Sequence, residues 1–207
     1  MPTFSQQELY ELISEYMESE DRIVAQAKQC SQVKYADDEM FGFFPLWNQL
    51  SFRGTHSWSP PEGKWLKKKP GGPHYIHGFN EHGDVEYIEW SNGIVSVFRR
   101  FDGLLERITY GGRANNLKRY IVEDDVITTC YDYNLDPHQY SREDFEYLEG
   151  RCVKSTIHSW YFSRKSDTWE SGVLESCTYE YDARGLKRGI RDMGERLGGE
   201  EIMYARK

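Results

Sequence analysis

The sequence predicts a mainly β protein of the α+β class. It is an antiparallel meander of about nine or ten strands, strongly twisted or closed as a barrel, with one long N-terminal amphipathic helix packed on it. Three observations lead there. Turn dipeptides recur at nearly constant spacing from Glu81 to Gly112: His82-Gly83, Asn92-Gly93, Asp102-Gly103 and Gly111-Gly112. Asn-Gly and Asp-Gly accept the positive φ of tight hairpins, so the apolar runs between them read as neighbouring strands. From Ser5 to Ser31 apolar residues return at three- and four-residue steps, and beyond Leu117 short β-favouring runs alternate with turn residues.

At 207 residues the chain is long enough for one sizeable core. A single domain over 1–207 is expected: an N-terminal helix in 1–34, an aromatic and Pro/Gly/Lys-rich connecting region in 35–78, and the sheet in 79–207.

The helix begins at a Ser5/Glu8 capping box, with Phe4 placed to staple onto Leu9. Leu9, Leu12, Ile13, Tyr16, Met17, Ile23, Val24 and Ala27 form its stripe. Unbroken, it measures about 40 Å. The connecting region holds an acidic cluster at Asp37 to Glu39 and an aromatic knot at Phe41 to Trp47. The stretch from Trp58 to Pro73 is a surface loop, because Pro-Pro and Gly-Gly interrupt both helix and strand. In it Trp58 and Trp65, among Lys64, Lys67, Lys68 and Lys69, are candidate ligand-binding residues that stack on and neutralise an anion.

Leu117 to Val122 and Val126 to Tyr133 form a hairpin across Glu123 to Asp125. Ser141 and Asp144 are expected to cap a short helix near 142–149, ended by Gly150. Arg151 to Arg164 is the longest strand, with Cys152, Thr156, Trp160 and Phe162 on one parity. Val173 to Tyr181, Leu186 to Ile190 and a strand ending near Tyr204 complete the sheet.

The segment YEYDARGLKRGI, Tyr179 to Ile190, resembles the tyrosine–aspartate repeat of rearrangement-hotspot proteins, in which a Tyr-x-Tyr-Asp strand end turns through glycine into the next strand. FNEHGDVEYI at 79–88 and FRRFDGLLERI at 98–108 resemble degenerate copies. The resemblance implies sheet-forming repeats and no activity. In its acidic, aromatic-rich composition the chain is also similar to immunity proteins of bacterial toxin systems.

Composition sorts the functions. A net charge of −8 disfavours a phosphate backbone and suits a basic protein partner. Met1 is followed by polar Ser5, Gln6, Gln7 and Glu8 and no long apolar run occurs, so neither a signal peptide nor a membrane span is read, and the expected compartment is cytoplasmic. Cys30, Cys130, Cys152 and Cys177 are scattered without metal-ligand spacing and read as buried thiols. His74, His77 and His82 do not converge on an extended strand, so neither a metal nor a cofactor is assigned. Nucleophile elbow, Walker loop and zincin motifs are absent. Dispersed catalysis would rest on His158 with Glu175 or Glu180 from the paired strand.

The leading reading is a non-enzymatic protein-binding module of immunity or antitoxin type. Its exposed anchors would be Tyr131, Tyr133, Trp160, Tyr161 and Trp169. The alternative is a closed barrel that holds a small apolar ligand, or an enzyme using such a cavity.

Overall fold

The structure, a computed structural model, describes residues 4–37, 65–69, 71–72, 74–111, 115–124, 126–135, 138–183, 185–194 and 199–205. The acidic pair Asp38-Glu39, the aromatic knot, Trp58 and Lys64 lie outside them. Helices α1 (Gln6–Glu18) and α2 (Glu20–Ala27) precede thirteen strands. These are β1 (Gln32–Ala36), β2 (Trp65–Leu66), β3 (Tyr75–Phe79), β4 (Val85–Trp90), β5 (Val95–Phe101), β6 (Leu104–Tyr110) and β7 (Asn116–Glu123). They continue as β8 (Val126–Asn134), β9 (Gln139–Leu148), β10 (Arg151–Ser163), β11 (Thr168–Asp182), β12 (Gly185–Asp192) and β13 (Glu200–Ala205). All join one antiparallel sheet, in chain order from β3 to β13, with β1 between β3 and β2.

The meander expected between Glu81 and Gly112 is present as β4, β5 and β6, and its turn chemistry explains it. Gly83, Gly93 and Gly103 have φ of 85°, 88° and 66°, a region a Cβ disfavours. Asn80 Oδ1 accepts the N–H groups of His82 and Asp84, both at 2.9 Å, which fixes the first corner.

Three expectations are corrected, and of the two sheet forms expected one is found. The helix is two short helices, because Ser19 leaves helical geometry at φ −108°, ψ 13° and its N–H turns back to Tyr16 O at 3.1 Å. The segment 142–149 is strand β9: Glu149 and Gly150 both have positive φ, 52° and 73°, so this Gly closes a hairpin into β10 and does not cap a helix. Thirteen strands lie among the described residues, more than the nine or ten expected, since β1, β2 and β3 lie in or beside the region read as connecting and β9 replaces a helix. The sheet is open: among the described residues no pairing joins β2 to β13, and β2, two residues long, offers almost no ladder to close on.

Bulges also re-sort the long strand. Cys152 pairs with Tyr147 and Lys154 with Glu146, so Val153 is an extra residue, and Cys152, Ser155 and Ile157 share a buried face. A second irregularity lies between His158 and Trp160 in the pairing of β10 with β11. There Gly172 lies so close to β10 that a Cβ would come within 3.0 Å of Ser159 O. Cys130, Cys152 and Cys177 are buried and Cys30 is half-buried. Burial pushes the Cys152 thiol up to about 12.

Each face of the sheet has its own core. One gathers Phe79, Ile88, Phe98, Tyr120, Ile127 and Ile157. On the other, Leu9, Ile13 and Tyr16 of α1 pack on Val97, Ile108, Leu117 and Tyr131. At the centre of this second core Arg99, Glu106 and Arg119 form one row across β5, β6 and β7. Glu106 is fully buried. It accepts the Tyr16 hydroxyl at 2.9 Å and Arg119 Nε at 2.7 Å, with Arg99 Nη1 at 4.0 Å. Burial, then the Glu106 charge, raises the Tyr16 hydroxyl far above its ordinary value.

Removing the carboxylate strands the Arg119 guanidinium beneath the helix. Glu106→Ala is expected to cost about 3–5 kcal/mol and Tyr16→Phe about 1–2 kcal/mol, read by denaturant unfolding. Equal small losses would contradict the network. Gly78 faces the Tyr87 ring, where an added Cβ would strike the ring and come within 2.9 Å of Cys30 Sγ. Gly78→Ala should therefore lower stability by about 1–3 kcal/mol in the same assay.

Candidate functional site

The capping box that starts α1 forms as the sequence requires: Ser5 Oγ accepts the Glu8 N–H at 3.2 Å, and Glu8 Oε2 accepts the Ser5 N–H at 2.7 Å. With Leu9, Ile13 and Tyr16 against the sheet, the three-four-three spacing of Glu8, Glu11, Glu15 and Glu18 places four exposed carboxylates on the opposite side. Glu20 and Asp21, in the first turn of α2, are also exposed, and no Lys or Arg occurs from Ser5 until Arg22. At the joint of the two helices Met17, Glu18, Ser19, Glu20, Asp21 and Arg22 frame an open depression of about 360 Å³.

Beside the N-terminal half of α1 the sheet shows an aromatic cluster. Trp160 lies 5.0 Å from Tyr140 and 4.0 Å from the exposed His158. Phe162 and Trp169 are directly opposed across β10 and β11, 5.7 Å apart. The Phe162 N–H donates to His138 O at 3.0 Å, and His138 Nδ1 pairs with the Tyr133 hydroxyl at 3.1 Å. Tyr10 of α1, 40% exposed, leans over Tyr133 and His138 at 6.3 and 5.8 Å. Among the described residues the helices pack mainly on β5 to β8, and farther along this face Leu174 is 61% and Ile202 49% exposed. The exposed glutamates and Tyr10, which rests on this cluster, are both carried by α1.

The candidate anchors divide. Trp160 and Trp169 are half-buried in the cluster. Tyr131 and Tyr133 are 3% and 1% exposed, which corrects their expected exposure: Tyr131 meets Phe4 edge-on at 5.3 Å and Tyr133 lies beneath Tyr10. Tyr161 is exposed but points to the other face, where its hydroxyl donates to Glu170 at 2.8 Å. Of the two candidate ligand-binding tryptophans, Trp65 is packed edge-on to His77 at 5.2 Å, with Lys34 Nζ 5.3 Å from its ring centroid.

The expected pairing of His158 with Glu175 is not formed. Glu175 pairs across the ladder with Ile157, so it faces away from its strand neighbour His158, and it is engaged by Arg191 at 2.7 Å. His158 Nε2 meets only the Ser171 hydroxyl, at 3.4 Å. Among the described residues no group of three His, Cys, Asp or Glu side chains is placed to hold a metal ion. His74 Nδ1 lies 2.7 Å from Gly72 O, and exposed His82 lies 3.6 Å from Glu81.

The acidic stripe has a local signal in the three-four-three spacing of its glutamates. His138 and Phe162 had no local signal, because they join the cluster only through strand register. No protein-family model matches the chain, and no curated protein matches it. Among the described residues no helix is long and apolar enough to cross a membrane.

His77 is fully buried and, among the described residues, neither ring nitrogen has a hydrogen-bond partner. Burial pulls it down to about 4 from an ordinary 6.5, so the folded chain keeps it neutral while the unfolded chain takes up a proton. Stability is then complete above pH 6.5 and declines as pH falls from 6.5 toward 4, by about 3 kcal/mol. His77→Leu should flatten this part of the stability–pH curve in urea unfolding at several pH values, whereas an unchanged slope would place the acid sensitivity elsewhere.

Proposed function

We propose that this protein is a non-enzymatic binding module that docks a basic protein along the acidic side of α1 and the aromatic cluster beside it. The observation that carries this is that one helix bears both features: α1 exposes carboxylates at Glu8, Glu11, Glu15 and Glu18, and its exposed Tyr10 rests on the aromatic cluster beside half-exposed Trp160 and Trp169. Charge steers the encounter and large aromatics supply the contact energy, as in many protein interfaces. The net charge of −8 favours the same class of partner and repels nucleic acid. An immunity or antitoxin role is the sharpest form of this reading: such a protein neutralises a basic target by occupying it, and the chain's acidic, aromatic-rich composition resembles that class. The tyrosine–aspartate segment supports a scaffold of hairpins and adds no activity to it.

The test is capture from the source cytosol by the tagged chain and by a Glu11→Lys/Glu15→Lys/Glu18→Lys variant. These exposed changes should leave the unfolding midpoint within about 2 °C. The unaltered chain should retain a basic protein at near-equal stoichiometry, released by about 0.5 M salt, and the variant should lose it. Capture undiminished by charge reversal, or no stoichiometric partner, would overturn the reading.

A further inference from the structure

Four rings of the aromatic cluster close a circuit. Tyr133 to Trp169 measures 6.1 Å, Trp169 to Phe162 5.7 Å, Phe162 to His138 6.1 Å and His138 to Tyr133 6.4 Å. Each neighbouring pair meets at a steep angle, 62°, 69°, 75° and 66° in that order, so the rings meet edge to face and none stacks on the next. Tyr133 is the buried member, while His138, Phe162 and Trp169 are half-exposed and Tyr10 stands at the rim. The circuit is anchored by the direct pairing of Phe162 with Trp169, by the Phe162 N–H to His138 O bond and by the His138–Tyr133 hydrogen bond.

Elsewhere this protein places its own cations on its aromatic rings. Among the described residues lysines and arginines stand 4.1 to 5.9 Å from nine ring centroids, including those of Phe4, Tyr16, Tyr87, Trp90 and Tyr131. None of these cations serves Tyr133, His138, Phe162 or Trp169, although these form the densest cluster of rings beside the acidic helix. Converging ring faces attract a cation through their quadrupoles, most strongly where water is partly excluded.

We propose that Tyr133, His138, Phe162 and Trp169 form an aromatic box for the ammonium group of a lysine side chain, preferentially a methylated one, presented by the basic partner; this rests on the docking reading above. The carboxylates of α1 attract the basic partner as a whole, and the rings select the ammonium. Methylation favours entry because an N-methylated ammonium is less strongly hydrated and adds apolar contact with the rings, while its charge is unchanged. Tyr10 rests on Tyr133 and His138 in this structure and swings aside to admit the group.

The experiment titrates the full chain with choline, whose trimethylammonium group mimics trimethyl-lysine, and with 3,3-dimethylbutanol, which has the same shape without the charge. The N-methyl proton resonance should move upfield in a saturable manner as the rings shield it. Choline should bind at least about tenfold more tightly than the neutral alcohol, and Phe162→Leu or Trp169→Leu should weaken it by at least about fivefold. Equal binding of the two probes, or no saturable shift, overturns the box, and this comparison uses the unaltered chain, so it stands even if a variant fails to fold. A folded Phe162→Leu chain, checked by circular dichroism, that binds choline undiminished overturns it as well. The Glu11→Lys/Glu15→Lys/Glu18→Lys variant separates the two proposals, since it should lose the basic protein yet keep most of its choline affinity. Capture of the basic protein without a choline shift removes the box alone. A choline shift without a basic partner removes the docking reading and leaves an ammonium site.

Discussion

The arrangement of helices on sheet depends on one buried charge. A carboxylate at the position of Glu106, fully shielded from water, would be prohibitively costly alone, and it is tolerated because Arg119, Arg99 and the Tyr16 hydroxyl converge on it. Two of these partners come from adjacent strands, so the sheet pre-assembles a cationic pair around the acid before the helix arrives. Tyr16 then supplies the remaining donor. Apolar burial of Leu9 and Ile13 accepts many orientations of α1, whereas a hydrogen bond to one buried oxygen sets its register along β5 to β8. The Arg119 guanidinium, 4.1 Å from the Phe4 ring, extends the same constraint to the chain before the helix.

That placement has a consequence for the rest of the face. Thirteen strands at about 4.8 Å each make a sheet far wider than two short helices can cover. Covering is therefore concentrated over β5 to β8, and the strands from β9 onward keep Trp160, Leu174 and Ile202 at least partly in water. The functional reading grows from this asymmetry: the aromatic cluster lies at the border where helical cover ends, with Tyr10 of α1 resting on it.

The opposite face follows another rule. Its core is built from strand residues such as Phe98, Tyr120 and Ile157, and polar groups satisfy one another within it. Lys118 Nζ lies 2.9 Å from Asp132 Oδ2, and although burial alone would lower the Lys118 ammonium, Asp132 outweighs it and holds it protonated above its ordinary value. Ser96 and Thr109 share a hydroxyl bond at 2.9 Å, joined by Arg107 Nε at 3.0 Å from Ser96. Paired polar groups of this kind tie neighbouring strands together, while His77 stays unpaired among the described residues of the same core.

The amino-acid sequence by itself determined what is local. Asn92-Gly93 and Asp102-Gly103 specify tight corners through the backbone conformations those residues tolerate, and the Ser5/Glu8 box specifies a helix start through two hydrogen bonds three residues apart. The same local evidence misled at Glu149-Gly150, because a glycine with positive φ ends a helix and turns a hairpin equally well, and only the partners of β9 decide between them. Tertiary structure alone decided which side each side chain takes. The extra residue Val153 shifts parity along β10, Tyr131 and Tyr133 disappear beneath α1, and His158 is parted from Glu175 by the thickness of the sheet. Strand register also brings His138, Phe162 and Trp169 together from three parts of the chain. The physical reason is range: a turn is settled by the torsional preferences of a few neighbouring residues, whereas a face, a bulge or a ring circuit exists only once distant strands have paired.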